Sequence, residues 1–168
     1  MCNLNLSFEH LNKPDFPALA NDIFTILADN MTLIAPTGNS REDDYKCWYE
    51  CVTDGLNHNE RQIILIKNNG NLIGFFQYYI NEDTFMMEEI QFKSEYRGKG
   101  VFRALYGFII PLIRDDIEFV EAYASIRNNK SIGILGKFGL KNIGLNKNGK
   151  SYHFKGNYSD LLKWYSGE

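Results

Sequence analysis

Apolar residues recur along this chain with two periods, and the switch between them separates its elements. Leu4, Leu6 and Phe8 alternate with polar neighbours, which predicts a short strand over residues 3–8. Phe16, Leu19, Ala20, Ile23, Phe24 and Leu27 follow at helical spacing, with Pro14 or Pro17 accommodated in a first turn. Pro36 and Gly38 place a loop over residues 31–39. Ser40, with Asp43 three residues on, reads as the N-cap of a second helix. That helix runs through Tyr45, Trp48, Tyr49 and Val52 and stops near Gly55.

From Arg61 the period falls to two. Residues 62–67 are rich in Ile and Leu and read as a strand, Asn68-Asn69-Gly70-Asn71 as a hairpin turn, and 72–80 as the return strand. Asn81-Glu82-Asp83 turns the chain again into a third strand over 84–92. Helical spacing returns at Val101, Phe102, Leu105, Phe108, Ile109 and Leu112, with Pro111 ending or kinking the helix. A strand over 119–126 and a short helix over 128–137, weakened by Gly133 and Gly136, come next. Residues 140–146 and 151–155 close as a hairpin around Asn148-Gly149, and Ser159 reads as the cap of a last helical turn through Leu162 and Trp164. No repeat, linker or low-complexity segment interrupts this order.

Composition narrows the picture without choosing a function. A chain of 168 residues, 44% hydrophobic and 23% charged, suits a single domain over 1–168 with an ordinary core. A net charge of −3 argues against general nucleic-acid binding. No apolar run approaches the ~20 residues of a membrane span, and residues 1–6 carry no secretory pattern. Three cysteines do not make a disulfide framework, so the expectation is a cytoplasmic protein with reduced thiols.

The chemistry concentrates after the third strand of the meander. Gly98 and Gly100 lie in a turn between that strand and a helix, where the backbone can approach a ligand closely. Helix N-terminal amides lack intrahelical partners and favour an anion, and Arg97, Lys99 and Arg103 add mobile positive charge. This reads as a phosphate or pyrophosphate cradle. Neither the nucleotide P-loop pattern nor the three-glycine dinucleotide fingerprint is present.

The stretch Tyr96-Arg97-Gly98-Lys99-Gly100-Val101 resembles the pyrophosphate-binding signature of the GCN5-related N-acetyltransferases (GNAT), which pair an Arg or Gln with a Gly three residues on. The signature's last position, usually Gly or Ala, is Phe102, a bulky side chain that must turn away from the pocket or narrow it. The order of elements is similar to that fold over nearly the whole chain. The resemblance implies an α/β (α+β) architecture, a mixed and mostly antiparallel sheet of about seven strands flanked by about four helices. It also implies acetyl-coenzyme A as co-substrate, with no metal, and transfer of its acetyl group to a primary amine within a ternary complex.

By the same resemblance, backbone groups of Ile90, Gln91 and Phe92 hold the pantetheine arm, and residues 97–103, with Val101 and Phe102 among them, hold the pyrophosphate. Residues 128–140 resemble a later family motif, in which Asn128 contacts the cofactor and Lys137 stands at the helix end. Many relatives carry a tyrosine at the position of Leu135 to protonate the departing thiolate, and leucine cannot donate. A hydroxyl such as Tyr152 or Tyr123 substitutes, or water does, or the thiolate leaves unaided.

A base is expected on the strand before the cradle. Alternation puts Glu88 on the face of Met86, Ile90 and Phe92, and Glu89 on that of Phe85, Met87 and Gln91. Whichever points into an apolar environment acquires a raised pKa and suits proton abstraction. Glu88 or Glu89 therefore fills that role, the plain alternative being two solvated or ion-paired carboxylates.

Other features carry less. Cys47 and Cys51, four apart on a helix, are read as small residues buried on its inner face rather than metal ligands. Tyr45, Trp48, Tyr49, Phe75, Phe76, Tyr78 and Tyr79 serve the core, with some lining an acceptor pocket. Phe102 and Leu135 also motivate a second reading, a non-catalytic coenzyme A or acyl-coenzyme A sensor or assembly module of the same fold. The acceptor, whether small molecule or peptide, is not legible, and an exposed strand edge leaves a homodimer open.

Overall fold

A computed structural model describes residues 3–58 and 61–168. In chain order the elements are β1 (Leu6–His10), α1 (Phe16–Ile34), α2 (Arg41–His58), β2 (Gln62–Asn68), β3 (Asn71–Asn81) and β4 (Thr84–Phe92). Then follow α3 (Val101–Ile109), β5 (Phe119–Ser125), α4 (Asn129–Lys137), β6 (Lys141–Leu145), β7 (Ser151–Asn157) and α5 (Tyr158–Ser166). The strands form one sheet in the order β1-β2-β3-β4-β5-β7-β6. The pairs β1–β2, β2–β3, β5–β7 and β6–β7 are antiparallel, while β4–β5 is parallel. The expected mixed sheet of seven strands is therefore present. Two compact units divide the chain, one of Met1–Tyr78 with Glu89–Val101, the other of Tyr79–Glu88 with Phe102–Glu168.

In the first unit, α1 runs four residues into the loop expected from residue 31, because nothing between Leu27 and Ile34 breaks a helix. Pro36 ends it, since the residue before proline is disfavoured as helical, and Ala35 indeed leaves the helix with φ −147° and ψ 73°. The loop before α2 is correspondingly short. Ser40 caps α2 as expected, its Oγ accepting from the Asp43 amide at 3.1 Å, and Glu42, Asp43 and Asp44 sit at the positive end of the helix dipole. Inner faces of α1 and α2 contribute Phe16, Ala20, Ile23, Val52 and Leu56 to a core closed by Ile63, Leu65 and Phe75 of the sheet. Cys47 and Cys51 are exposed. This corrects the expectation of burial, because Tyr45, Trp48, Tyr49, Val52 and Leu56 take the inward stripe and leave the cysteines on the outer one. Cys2 lies outside the described residues.

The β2–β3 turn has Asn69 at φ 51° and Gly70 at φ 79°, the two left-handed residues a tight hairpin needs. Gly74 of β3 has a different reason to be glycine. A Cβ there would stand 2.5 Å from the Gln91 carbonyl oxygen and 2.9 Å from Phe92 Cα, so its absence lets the end of β4 approach.

In the second unit, α3 ends at Ile109, where Pro111 lies in a following 3-10 turn. Leu112 is 49% exposed and so falls outside the apolar stripe assigned to it. The closing helical turn is a full helix, α5, which makes five α-helices among the described residues rather than about four. Its N-cap is Asn157, with no side-chain capping bond, so Ser159 does not cap it; the chain passes from extended β7 straight into the helix. Phe102, Tyr106, Phe138 and Trp164 pack as an aromatic cluster, with Phe138 and Trp164 centroids 4.4 Å apart.

Candidate active site

Between β4 and α3 the chain makes a 3-10 turn over Ser94–Tyr96 and then a reversal through residues 97–100. Gly98 (φ 71°) and Gly100 (φ 79°) both occupy the left-handed region. A Cβ built on either meets nothing within 4 Å, so the space above the turn is open. Val101 is 1% exposed and anchors the start of α3, whose first amides face out of the helix. Arg97 and Lys99 stand exposed on the turn, Lys99 Nζ lying 5.8 Å from the Tyr96 ring centroid.

Two expected cradle residues are arranged otherwise. Arg103 is not mobile: it donates to the Tyr165 carbonyl, and its guanidinium lies 5.6 Å from the Trp164 ring and 5.3 Å from that of Tyr165. Its charge is fixed on α5. Phe102 turns into the aromatic cluster, 5.1 Å from Tyr106 and 5.6 Å from Phe138 by ring centroids. Its bulk is absorbed there.

A side-chain network runs from the turn to the candidate bases. Arg97 Nη2 donates to Asn30 Oδ1 at 3.3 Å. Asn30 Nδ2 donates to Gln91 Oε1 at 2.9 Å and to the Phe92 carbonyl at 3.0 Å. Gln91 Nε2 in turn donates to Glu89 Oε1 at 2.7 Å. The last contact is the i, i+2 neighbour relation that strand alternation requires. Asn30 is 9% exposed, and every polar atom of its amide is used, as burial demands.

Glu89 also borders a cavity of about 640 Å³ between α1, α2 and the loop joining them. Phe24, Leu27, Ala28 and Met31 line it from α1, and Trp48 from α2. Asp44 at its rim accepts from the Thr37 hydroxyl at 2.6 Å and from Asn39 Nδ2 at 3.3 Å. Arg41 at the rim pairs with Asp29 at 2.8 Å. Glu88 is half-buried like Glu89 but does not border this cavity.

The parallel ladder between β4 and β5 covers Thr84–Met87 and Phe119–Ala122, so Ile90, Gln91 and Phe92 continue the strand beyond it. In the second unit Asn128 is the N-cap of α4, its Oδ1 accepting from the Ser131 amide at 3.2 Å. Lys137 ends α4, exposed. Leu135 is 8% exposed. Tyr152 is half-buried on β7, opposite Ala124, with its ring edge-on to Phe154 at 6.4 Å. Among the described residues, no group of three or more metal-ligating side chains converges.

The acetyltransferase (GNAT) family model matches residues 20–140, a span that includes most of α1, the meander, the glycine turn and α4. The chain belongs to that family. A Bacillus subtilis (strain 168) protein assigned as a ribosomal protein bS18-alanine N-acetyltransferase is 26% identical over 102 residues, 60% of this chain and 66% of that protein's length. The PaiA N-acetyltransferase of Thermoplasma acidophilum, solved in complex with coenzyme A, superposes with a TM-score of 0.74 at 16% identity, over 92% of this chain and 99% of that one. The spermidine N-acetyltransferase of Vibrio cholerae, solved with coenzyme A and spermine, gives 0.59 at 19% identity, over 94% and 98%. At those identities the two structures show a shared fold.

For a GNAT acetyltransferase, sequence reading placed the turn and the two acids but missed what holds them. Asn30 carried a usable signal, a polar residue one turn after Ile26 on the buried face of an apolar helix. Trp48, on the second helix and among the aromatics expected to serve the core or line a pocket, borders the cavity. A third group had no signal: His153 Nε2 lies 2.9 Å from Glu121 Oε1, and the Tyr123 ring stacks on His153 at 4.4 Å, from positions 32 and 30 apart that only the β5–β7 pairing brings together.

Proposed function

We propose that this GNAT-family chain is an N-acetyltransferase that moves the acetyl group of acetyl-coenzyme A to a primary amine by direct transfer in a ternary complex. The observation that carries the reading is the hydrogen-bonded series Arg97–Asn30–Gln91–Glu89, which ties an anion-binding turn to a carboxylate beside a cavity. The relatives named above act on amines, and two were solved with coenzyme A.

Residues of the turn fit a pyrophosphate. Gly98 and Gly100 offer backbone without side chains, the amides opening α3 offer donors, and Arg97 and Lys99 offer charge. Backbone groups of Ile90, Gln91 and Phe92, past the β5 ladder, are the proposed hold on the pantetheine arm. Acetyl-coenzyme A supplies the acyl group as a thioester. The chain's own tasks are to orient it and to manage protons.

Glu89 accepts the proton that the substrate ammonium must lose, directly or through a water. The amine nitrogen bonds to the carbonyl carbon as the carbon–sulfur bond breaks, the sulfur leaves with the electron pair, and the second proton that the nitrogen sheds on becoming an amide passes to solvent. The sulfur's proton comes from Tyr152 or from solvent, since Leu135 has none to give. The role of Asn128 rests on the family motif, and that of Tyr152 on the absence of a donor at Leu135.

Titration calorimetry with acetyl-coenzyme A tests the first half of this reading. The wild type is expected to bind in the micromolar range, with binding lost in Arg97→Ala and in Gly100→Trp. Binding unchanged in both variants overturns the cradle.

A further inference from the structure

We infer that the chain carries a second ligand site, for a small organic anion with a flat body, in a cavity beside the β6–β7 turn. The inference does not rest on the transferase reading. The cavity, of about 580 Å³ and open to solvent, is lined by Tyr123, Leu145, Asn146, Lys147, Asn148 and His153. All six belong to the second unit.

The turn's own hydrogen bonds make its polar lining a set of donors. Asn146 Oδ1 accepts from the Lys150 and Ser151 amides at 3.2 and 3.1 Å. Asn148 Oδ1 accepts from the Lys150 amide at 2.9 Å. With both oxygens engaged by backbone, each asparagine has its Nδ2 left to donate. Lys147 adds an exposed ammonium that forms no ion pair among the described residues. The Tyr123 hydroxyl and His153 Nδ1 can serve in either sense.

No carboxylate is among the lining residues. Glu121 lies behind His153, bonded to its Nε2 at 2.9 Å, and keeps its charge there. That charge is outnumbered. Between Glu121 and Asp160 the chain has no acidic residue and seven basic ones, in a protein of net charge −3. Of these, Lys141, Lys150 and Lys155 stand exposed on β6, the turn and β7 around Lys147. A recess under one sign of charge concentrates counter-ions, so an anion is favoured over a cation.

The walls suit a ring. Tyr123 and His153 are cross-strand neighbours on β5 and β7, with their rings stacked at 4.4 Å and 14°. On its other flank His153 pairs with Gly144 of β6, where a Cβ would meet nothing within 4 Å. That position therefore leaves the imidazole uncovered. Tyr123 is 48% exposed and Leu145 59%, apolar surface that an aryl or heteroaryl body gains by covering. The donors of the turn then hold the phosphate or carboxylate that the ring carries.

The test titrates the full chain, labelled with nitrogen-15, and reads the amide signals of residues 145–148 and the side-chain NH2 pairs of Asn146 and Asn148. The probes are phenyl phosphate and benzoate, their ring-free counterparts inorganic phosphate and acetate, and benzylamine. Phenyl phosphate or benzoate is expected to shift these signals, at least tenfold more tightly than its ring-free counterpart or benzylamine, and less tightly as salt rises. Whichever of the two binds tighter identifies the anion as phosphate or carboxylate. Lys147→Glu, on the exposed turn, is expected to weaken that binding about tenfold, and Tyr123→Ala about fivefold. The same spectra show that each variant folds. Arg97→Ala, which removes charge from the glycine turn, is expected to leave the 145–148 shifts unchanged. Their loss in Arg97→Ala would assign the anion to that turn and overturn the inference. Benzylamine or a ring-free anion binding as tightly as the ring-bearing anions overturns it too, as does the absence of any shift at 145–148.

Discussion

Asn30 on α1 and Gln91 on β4, 61 positions apart, are joined by a 2.9 Å hydrogen bond from Nδ2 to Oε1. The same nitrogen donates to the Phe92 carbonyl, and the oxygen of the same amide accepts from Arg97. One buried amide thus fixes the end of the strand, the side chain beside the candidate base, and the arginine of the turn. Asn30→Ala removes the donor from two acceptors at once. The expected loss is about 1–3 kcal/mol of stability. At this chain length that amounts to a fall in Tm of about 2–4 °C per kcal/mol. Asn30→Asp keeps the acceptor for Arg97 but sets an oxygen against Gln91 Oε1, so kcat is expected to fall more than acetyl-coenzyme A affinity. Thermal melts and steady-state kinetics read both.

Gly74 tests the same strand end from the other side. In Gly74→Ala the new Cβ must displace the Gln91 carbonyl and Phe92, backbone atoms that cannot rotate away. Overpacking of this kind costs about 1–3 kcal/mol. Acetyl-coenzyme A affinity is expected to drop with stability. Gly70→Ala, strained by φ 79° yet open in space, is expected to lower stability alone. Calorimetry and melting curves on the two variants separate these outcomes.

Arg97 and Arg103 sit six residues apart in a basic stretch and have different contacts, Arg97 with Asn30 and Arg103 with α5. Arg97→Ala is expected to weaken acetyl-coenzyme A binding at least tenfold and to flatten the dependence of that binding on salt. Arg103→Ala is expected to leave affinity within about twofold and to lower Tm slightly, since an exposed cation–π contact contributes about 0.5–1 kcal/mol. A larger affinity loss at Arg103 than at Arg97 would contradict the arrangement.

Three tyrosines are expected to lower stability at alkaline pH. Burial pushes the Tyr158 hydroxyl up to about 12, with the Asp115 carboxylate adding to the shift, and burial also raises Tyr78 and Tyr106. Below the unfolded value of 10.0 these groups are neutral in both states and cost nothing. Above it the unfolded chain releases protons that the folded chain keeps, so stability falls as pH rises from about 10 towards 12. Tyr158→Phe is expected to flatten that fall, seen as Tm against pH.

Local chemistry made much of this fold readable. The span of β4 was read to the residue, because turn residues bracket an apolar alternating run, and the Asn69-Gly70 hairpin announced itself by its left-handed residues. Ser40 was found because capping needs only a short side chain at the right offset. Features set by distant packing were not readable. Phe102 belongs to a cluster with Phe138 and Trp164, and Cys47 and Cys51 face outward because neighbours of larger area claim the inner stripe. The choice of Glu89 over Glu88 likewise depends on a cavity built from α1 and α2, which strand alternation cannot supply.

The central claim is that Glu89 takes the proton from an amine that then receives the acetyl group. The measurement is kcat for thiol release, with the acetylated amine identified by mass, in wild type, Glu88→Gln and Glu89→Gln. The expected result is turnover in the wild type, a loss of about 10²–10⁴-fold in Glu89→Gln with acetyl-coenzyme A affinity unchanged, and near wild-type kcat in Glu88→Gln. Full activity in Glu89→Gln, or no acetylated amine from a wild type that binds acetyl-coenzyme A, would contradict it.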